Sequence, residues 1–156
     1  MLIEFPYSFP GKVFRSPMPF SRFDRSGVWE AYRENGIDLV VILTEKSEYL
    51  VYAGRDLPAF YQSWGLESLH VPVQDFGVPQ DRKVWEQGLS QVARKAREGK
   101  NVAVHCLAGI GRTGTFLACL AKKELGLDGE KSIHWVRQTL PGAMENDYQE
   151  SFVIDY

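Results

Sequence analysis

The stretch VAVHCLAGIGRTGTFLACLAKKELG, residues 102–126, runs from a short apolar segment into a longer helix-forming one, with a cysteine, glycines, an arginine and a threonine packed between them. A brief, nearly continuous run of β-branched and small apolar residues reads as a strand buried on both faces. In an open α/β sheet, ligands bind in the crevice beyond the carboxyl end of such a strand, which is where Cys106 to Gly111 falls. Gly109, Gly111 and Gly114 allow the backbone to curl so that successive N–H groups point inward and form a concave anion nest. The start of the following helix adds partial positive charge. A thiol in that field ionises more easily than the model value of ~8.5, which makes Cys106 a nucleophile near neutral pH. Arg112, six residues on, supplies a planar fork for two oxygens at once. The implied ligand is a phosphate.

Outward from this stretch the chain alternates. Strand-like runs occur at KVFRS, at DLVVIL (38–43), at SLHVPV (68–73) and at NVAVH (101–105). Helical patterns place Val28, Trp29 and Tyr32 on one face, and Trp85, Leu89, Val92 and Ala96 on another, with Gly99 as a stop. Asp128 caps a helix carrying Ile133, Val136 and Leu140, which Pro141-Gly142 ends, and Tyr148 with Phe152 marks a last helix. This order predicts a single α/β domain over 1–156, with a central, mostly parallel sheet of four to five strands and helices on both faces.

Composition bounds the function. The chain has 156 residues, 44% of them hydrophobic, and a formal net charge of −2. It is large enough for one core and carries no overall basic character for nucleic acid or an anionic membrane. Two cysteines are too few for a disulfide framework and point to a reducing compartment, with the cytoplasm as the expected location. Glu4, Pro6 and Pro10 interrupt the N-terminal apolar residues, so neither a signal-peptide core nor a membrane span is expected there. GIGRTGT lacks the Gly-Lys-Ser/Thr ending of a nucleotide P-loop, and no cysteine or histidine stands at zinc-ligand spacing. Cys119, about two helical turns beyond Arg112, reads as core.

These residues carry a resemblance. HCLAGIGRTG resembles the His-Cys-x5-Arg-Ser/Thr signature of the cysteine-dependent protein tyrosine phosphatases, of the small single-domain dual-specificity type. HVPVQDFGVP is similar to that family's acid loop, and LPGAMENDYQESFV to its downstream segment. The departures are Gln74 where a proline commonly precedes the acid, and Thr139-Leu140 where an arginine commonly precedes Pro-Gly.

The resemblance implies hydrolysis of phosphotyrosine, and possible extension to phosphoserine and phosphothreonine, through a phosphocysteine, without metal or cofactor. It implies phosphorylated protein or peptide substrates, inhibition by phosphate-like oxyanions and a monomer. Cys106 attacks phosphorus. The amides of Leu107, Ala108, Gly109, Ile110, Gly111 and Arg112, with the Arg112 guanidinium, hold the equatorial oxygens. Asp75 is the general acid, Thr113 donates to the Cys106 sulfur, His105 fixes the loop, and Gln149 positions the hydrolytic water. Alternatives stand beside several of these roles. Asp75 would otherwise be a turn residue, Gln149 a surface residue, and Glu145 either a rival acid or a charge in the first turn of the last helix. Asp81 is read as a helix cap rather than an acid. Arg15 and Ser16 in FRSPMP either line the approach to the pocket or sit in a solvated loop. The competing functions are a phosphatase of non-protein phosphomonoesters and a phosphate-binding module that has lost catalysis. The phosphate loop contains no lysine, which favours a singly phosphorylated side chain.

Overall fold

The computed structural model describes residues 1–156. Its centre is a five-stranded sheet in the order β1-β2-β5-β3-β4, built from β1 (Ile3–Phe5), β2 (Val13–Ser16), β3 (Ile37–Ile42), β4 (Glu67–His70) and β5 (Asn101–His105). All neighbours pair in parallel except β1 with β2. Period-two alternation sorts β5 between two layers. Val102 and Val104 belong to one apolar cluster with Trp85, Leu89, Phe116 and Val136, while Ala103 belongs to another with Trp29, Tyr32, Leu57 and Tyr61. The first layer holds α4 (Arg82–Arg97), α5 (Gly111–Leu125), α6 (Gly129–Thr139) and α7 (Asp147–Asp155). The second holds α1 (Val28–Glu34), α2 (Lys46–Tyr52) and α3 (Leu57–Ser63). The single α/β domain with both faces covered agrees with the expected fold class.

Four local differences from the sequence reading have physical causes. β1 is a strand despite Glu4 and the following Pro6, because an antiparallel edge strand of three residues needs few ladder bonds and exposes one face. The helices α2 and α3 were not anticipated: each is seven residues long, and only Tyr49 in α2 and Leu57 and Tyr61 in α3 are buried, too few to show a period. The run 68–73 is strand only to His70. The N–H groups of Val71 and Val73 still reach Ile42 O and Leu43 O (2.9 Å each), but Pro72 between them has no donor and the regular ladder ends. The last helix forms, but its buried residues are Gln149 and Val153, while Tyr148 is exposed.

β5 is the central strand, flanked by β2 and β3, so its carboxyl end opens between loops from both sides of the sheet. α5, which follows it, is buried from Gly111 to Ala121 and fixes the crevice floor.

Candidate active site

The loop after β5 is held by its carbonyls. His105 Nδ1 lies 2.9 Å from Cys106 O, Met18 N donates to Leu107 O at 3.0 Å, Arg15 Nη2 to Ala108 O at 2.9 Å and Arg15 Nε to Gly109 O at 2.9 Å. Four successive peptide oxygens are therefore tied to neighbouring residues. The amides of Leu107, Ala108, Ile110, Gly111 and Arg112 meet no protein acceptor, while Gly109 N donates to Cys106 Sγ at 3.2 Å. That is the donor pattern of an anion nest around a sulfur. Gly109 takes φ +74°, and a Cβ there would overlap Ser16 O and the Arg15 guanidinium. At Gly111 a Cβ would collide with the Glu145 carboxylate.

His105 is fully buried, and burial pushes its imidazole down to about 4. A carbonyl only accepts, so Nδ1 carries the proton to Cys106 O and Nε2 accepts from the Tyr61 hydroxyl at 3.2 Å. The ring is a neutral brace beneath the cysteine.

Arg112 is 2% exposed and held on four sides. Nη1 donates to Glu48 Oε2 (2.8 Å) and Val73 O (2.9 Å), and Nη2 donates to Glu48 Oε1 (2.9 Å) and Asp75 Oδ1 (3.0 Å). Burial works against this charge, but Glu48, Cys106 and Asp75 together more than offset it and the guanidinium is held above its usual value. Glu48 is in turn fixed by a capping box at the start of α2, where its Oε2 accepts from Glu45 N at 2.8 Å. Sequence reasoning missed Glu48. The available signal was a Glu-x-x-Glu pair between an apolar strand and an aromatic residue, but nothing linked it to residue 112.

Asp75 sits in the tight turn Gln74–Gly77, closed by Gly77 N to Gln74 O at 2.8 Å. Its Oδ1 accepts from Phe76 N at 3.0 Å as well as from Arg112, so it is at once the turn residue and a site residue. Phe76 takes φ +60° and leaves its ring 62% exposed at the rim. The turn is fastened from across the cavity by Asn146 Nδ2 to Phe76 O (2.8 Å) and Gln149 Nε2 to Gly77 O (3.3 Å).

Cys106, Leu107, Ala108, Ile110, Gly111, Arg112, Asp75 and Glu145 thus meet in one cavity of about 280 Å³, with Arg22, Phe23 and Phe76 completing its rim. Glu145 precedes the Asn146 cap of α7 and does not occupy the first helical turn. Burial and the neighbouring Asp75 raise its carboxyl above the usual range, against the pull of Arg112. Gln149 is fully buried and not a surface residue; its Oε1 accepts from Glu145 N at 2.8 Å. Thr113 Oγ1 is buried without a hydrogen bond, so the bond expected from it to Cys106 Sγ is not made. Asp81 caps α4 through Val84 N at 3.1 Å, as read. Cys119 is buried and its thiol is pushed up to about 12 by burial, in keeping with a core role. Arg15 and Ser16 neither line the approach nor sit in solvent. Both are buried, Arg15 behind the phosphate loop and Ser16 against the Tyr32 hydroxyl at 2.6 Å. No helix is long and apolar enough to cross a membrane.

Comparison with known proteins supports the same grouping. The family model for the DSP-PTPase phosphatase of polymorphic toxin systems matches residues 23–124. The chain is 30% identical over 161 residues to the tyrosine-protein phosphatase cdc-14 of Caenorhabditis elegans, an alignment covering 97% of this chain and 21% of that protein. It is 27% identical over 124 residues to the phosphatidylglycerophosphate phosphatase PTPMT1 of Arabidopsis thaliana, covering 80% of this chain and 35% of that one. The chain therefore spans only a minor part of each of these two relatives' length. The crystal structure of Tk-PTP in the active form superposes with a TM-score of 0.75 at 33% identity, over 93% of this chain and 90% of that one. With fold, loop and sequence in agreement, the chain belongs to the dual-specificity branch of the protein tyrosine phosphatase family.

Proposed function

We propose that this chain hydrolyses phosphotyrosine, and also phosphoserine and phosphothreonine, in proteins through a phosphocysteine on Cys106. The observation that carries the reading is the phosphate loop itself: four tied carbonyls and five amides without acceptors, with the cysteine sulfur bonded to Gly109 N. Such donors are already aimed where charge must be held as a phosphoryl group moves.

The Arg112 fork explains how substrate and acid share one cation. Glu48 and Val73 take both Nη1 protons and one from Nη2, Asp75 takes the other Nη2 proton, and Nε remains. A phosphate bound through Nε and Nη2 therefore displaces Asp75, which is released toward the leaving oxygen. Cys106 Sγ then bonds to phosphorus as the phosphorus–oxygen bond breaks; the electron pair goes to the leaving oxygen, which takes the Asp75 proton. In the second step water attacks phosphorus, Asp75 accepts the water's proton, and the phosphorus–sulfur pair returns to the thiolate. The orienting of that water is assigned to Gln149, a reading supported by its amide lying beside Gly111 and bonding Gly77 O of the acid loop. The aromatic rim of Phe23 and Phe76 supports an aryl ester. Both cysteines are free, in keeping with a cytoplasmic protein.

The test is a turnover panel of phosphotyrosine, phosphoserine and phosphothreonine peptides beside phosphatidylglycerophosphate and an inositol phosphate, on the wild type and on Cys106→Ser. Turnover of peptides that Cys106→Ser abolishes supports the reading. Turnover confined to the lipid would move the chain to the class named for its plant relative, and hydrolysis retained in Cys106→Ser would remove the phosphocysteine.

A further inference from the structure

Two buried guanidiniums serve this site, and only one has a carboxylate. Arg112 is neutralised by Glu48 and Asp75. Arg15, 6% exposed on β2, forms no salt bridge; all its hydrogen bonds go to main-chain oxygens, Gly109 O and Ala108 O at 2.9 Å each and Met1 O at 3.3 Å. A buried cation satisfied only by carbonyls is costly, and structures retain one where an anion is present or arrives. Here the anion-forming group that acts most strongly on the Arg15 charge is Cys106. We propose that Arg15 is a positioning residue for phosphoryl transfer: its planar fork holds the Ala108 and Gly109 peptides with their oxygens turned out, and its uncompensated charge stabilises the Cys106 thiolate and the bound phosphate from beneath the loop.

The geometry separates the two effects. Turning the Gly109 carbonyl outward aims the following amide, that of Ile110, into the nest, and turning the Ala108 carbonyl aims the Gly109 amide at Sγ, where it is observed. The fork presents two separate nitrogens, Nε and Nη2, to the two carbonyls in one fixed plane, whereas any cation at that place supplies the charge. Arg15 is also fixed on β2, whose Ser16 pairs with His105 of β5, so the grip is registered to the sheet. Burial lowers the Arg15 guanidinium from its usual value, and the negative charge of Cys106 opposes that shift. The other groups facing Cys106 are Arg112 on α5 with Glu48 behind it, Asp75 and Glu145 across the cavity, Arg22 at the rim and the neutral His105 below. Arg112 already has carboxylate partners and Arg22 is exposed at the rim, so Arg15 is the buried cation at this loop without a carboxylate.

The inference rests on Cys106 being the nucleophile, and its test does not need turnover. Arg15→Met and Arg15→Lys are compared with the wild type for the pH midpoint of Cys106 alkylation by iodoacetate, inorganic phosphate binding by calorimetry, and kcat on an aryl phosphate. For Arg15→Met the midpoint should rise by about half a pH unit or more and phosphate binding should weaken about tenfold, because a fixed cation is lost. Arg15→Lys should return the midpoint toward the wild type yet keep kcat about tenfold low, because one shorter-stemmed ammonium nitrogen does not reproduce the fixed planar placing of Nε and Nη2 on the two carbonyls. Should Arg15→Met fail to fold, Arg15→Lys decides alone. Wild-type kcat in Arg15→Lys, or an unmoved midpoint in a folded Arg15→Met, overturns the proposal. Hydrolysis retained by Cys106→Ser would instead sink the phosphocysteine reading while leaving the phosphate-binding result to stand.

Discussion

The phosphate loop and the acid loop face each other across one cavity and are held in opposite ways. From Cys106 to Gly109 every carbonyl has a donor from outside the nest, and Cys106 itself is 3% exposed. The acid turn at Gln74–Gly77 leaves Asp75 with 45% of its side chain in solvent, and only the Arg112 contact and two side-chain amides fasten it from across the cavity. Its Phe76 adopts a left-handed backbone that costs an L-residue about 1 kcal/mol. Donors that stabilise moving charge act best when they do not reorganise, whereas a group that must exchange partners is best held by contacts it can release. The two loops divide these demands.

The largest effect should come from the rigid side. Arg112→Lys removes the paired donors to phosphate and the grip on Glu48, so kcat/KM on an aryl phosphate should fall about 10²- to 10³-fold, the usual cost of a lost transition-state donor. Near wild-type kinetics would mean that the fork does not face the substrate. The brace beneath the loop predicts a pH effect on stability. Imidazole titrates near 6.5 in the unfolded chain and His105 at about 4 in the fold, so the unfolded state binds more protons between those values. Stability is therefore complete above about pH 6.5 and should decline by on the order of 3 kcal/mol as pH falls toward 4. Urea melts across that window test this. A His105→Asn variant with the same pH slope as the wild type would assign the loss to other groups.

What could be read from the sequence divides along the same line. The phosphate loop was legible because its chemistry is local: strand, cysteine, glycines, arginine and helix lie within one stretch, and each residue type constrains the next. Asp75 was legible as a loop carboxylate, but its docking on Arg112 was not, since that contact joins residues 37 apart. Glu48 lies 64 residues from Arg112 on a helix with one buried residue, and no periodicity marks it. Arg15 illustrates the same limit from the other side. A charged residue in a Pro-containing segment reads as solvated, and only the parallel pairing of β2 with β5 brings it under the loop.

On the acid-loop side the effect should depend on the substrate. Asp75→Asn and Glu145→Gln are to be compared on an aryl phosphate with a poor leaving group and on one with a very good leaving group. Removing the true acid should slow the first about 10²-fold and the second much less, because a good leaving group needs little protonation. Asp75→Asn is expected to show that pattern. Glu145 lines the same cavity with a raised carboxyl, so its appearance only in Glu145→Gln would reassign the acid.

The smallest effect should come from the fastening of the acid turn. Asn146 has two tasks: Oδ1 caps α7 by accepting from Gln149 N at 3.0 Å, and Nδ2 donates to Phe76 O at 2.8 Å. Asn146→Ser keeps a capping oxygen of nearly equal quality but cannot reach Phe76, so it separates helix stability from loop position. A single exposed neutral hydrogen bond contributes about 1 kcal/mol. The closed turn should therefore lose population, and kcat/KM on a poor-leaving-group ester should fall about two- to fivefold. The melting temperature should stay close to the wild type because the cap survives. If kinetics are unchanged, the turn is set by Gln149 and by the Arg112 contact alone, and the acid loop is held more firmly than its exposure suggests. If instead stability falls while kinetics hold, the bond to Phe76 belongs to the packing of α7 rather than to the catalytic cycle.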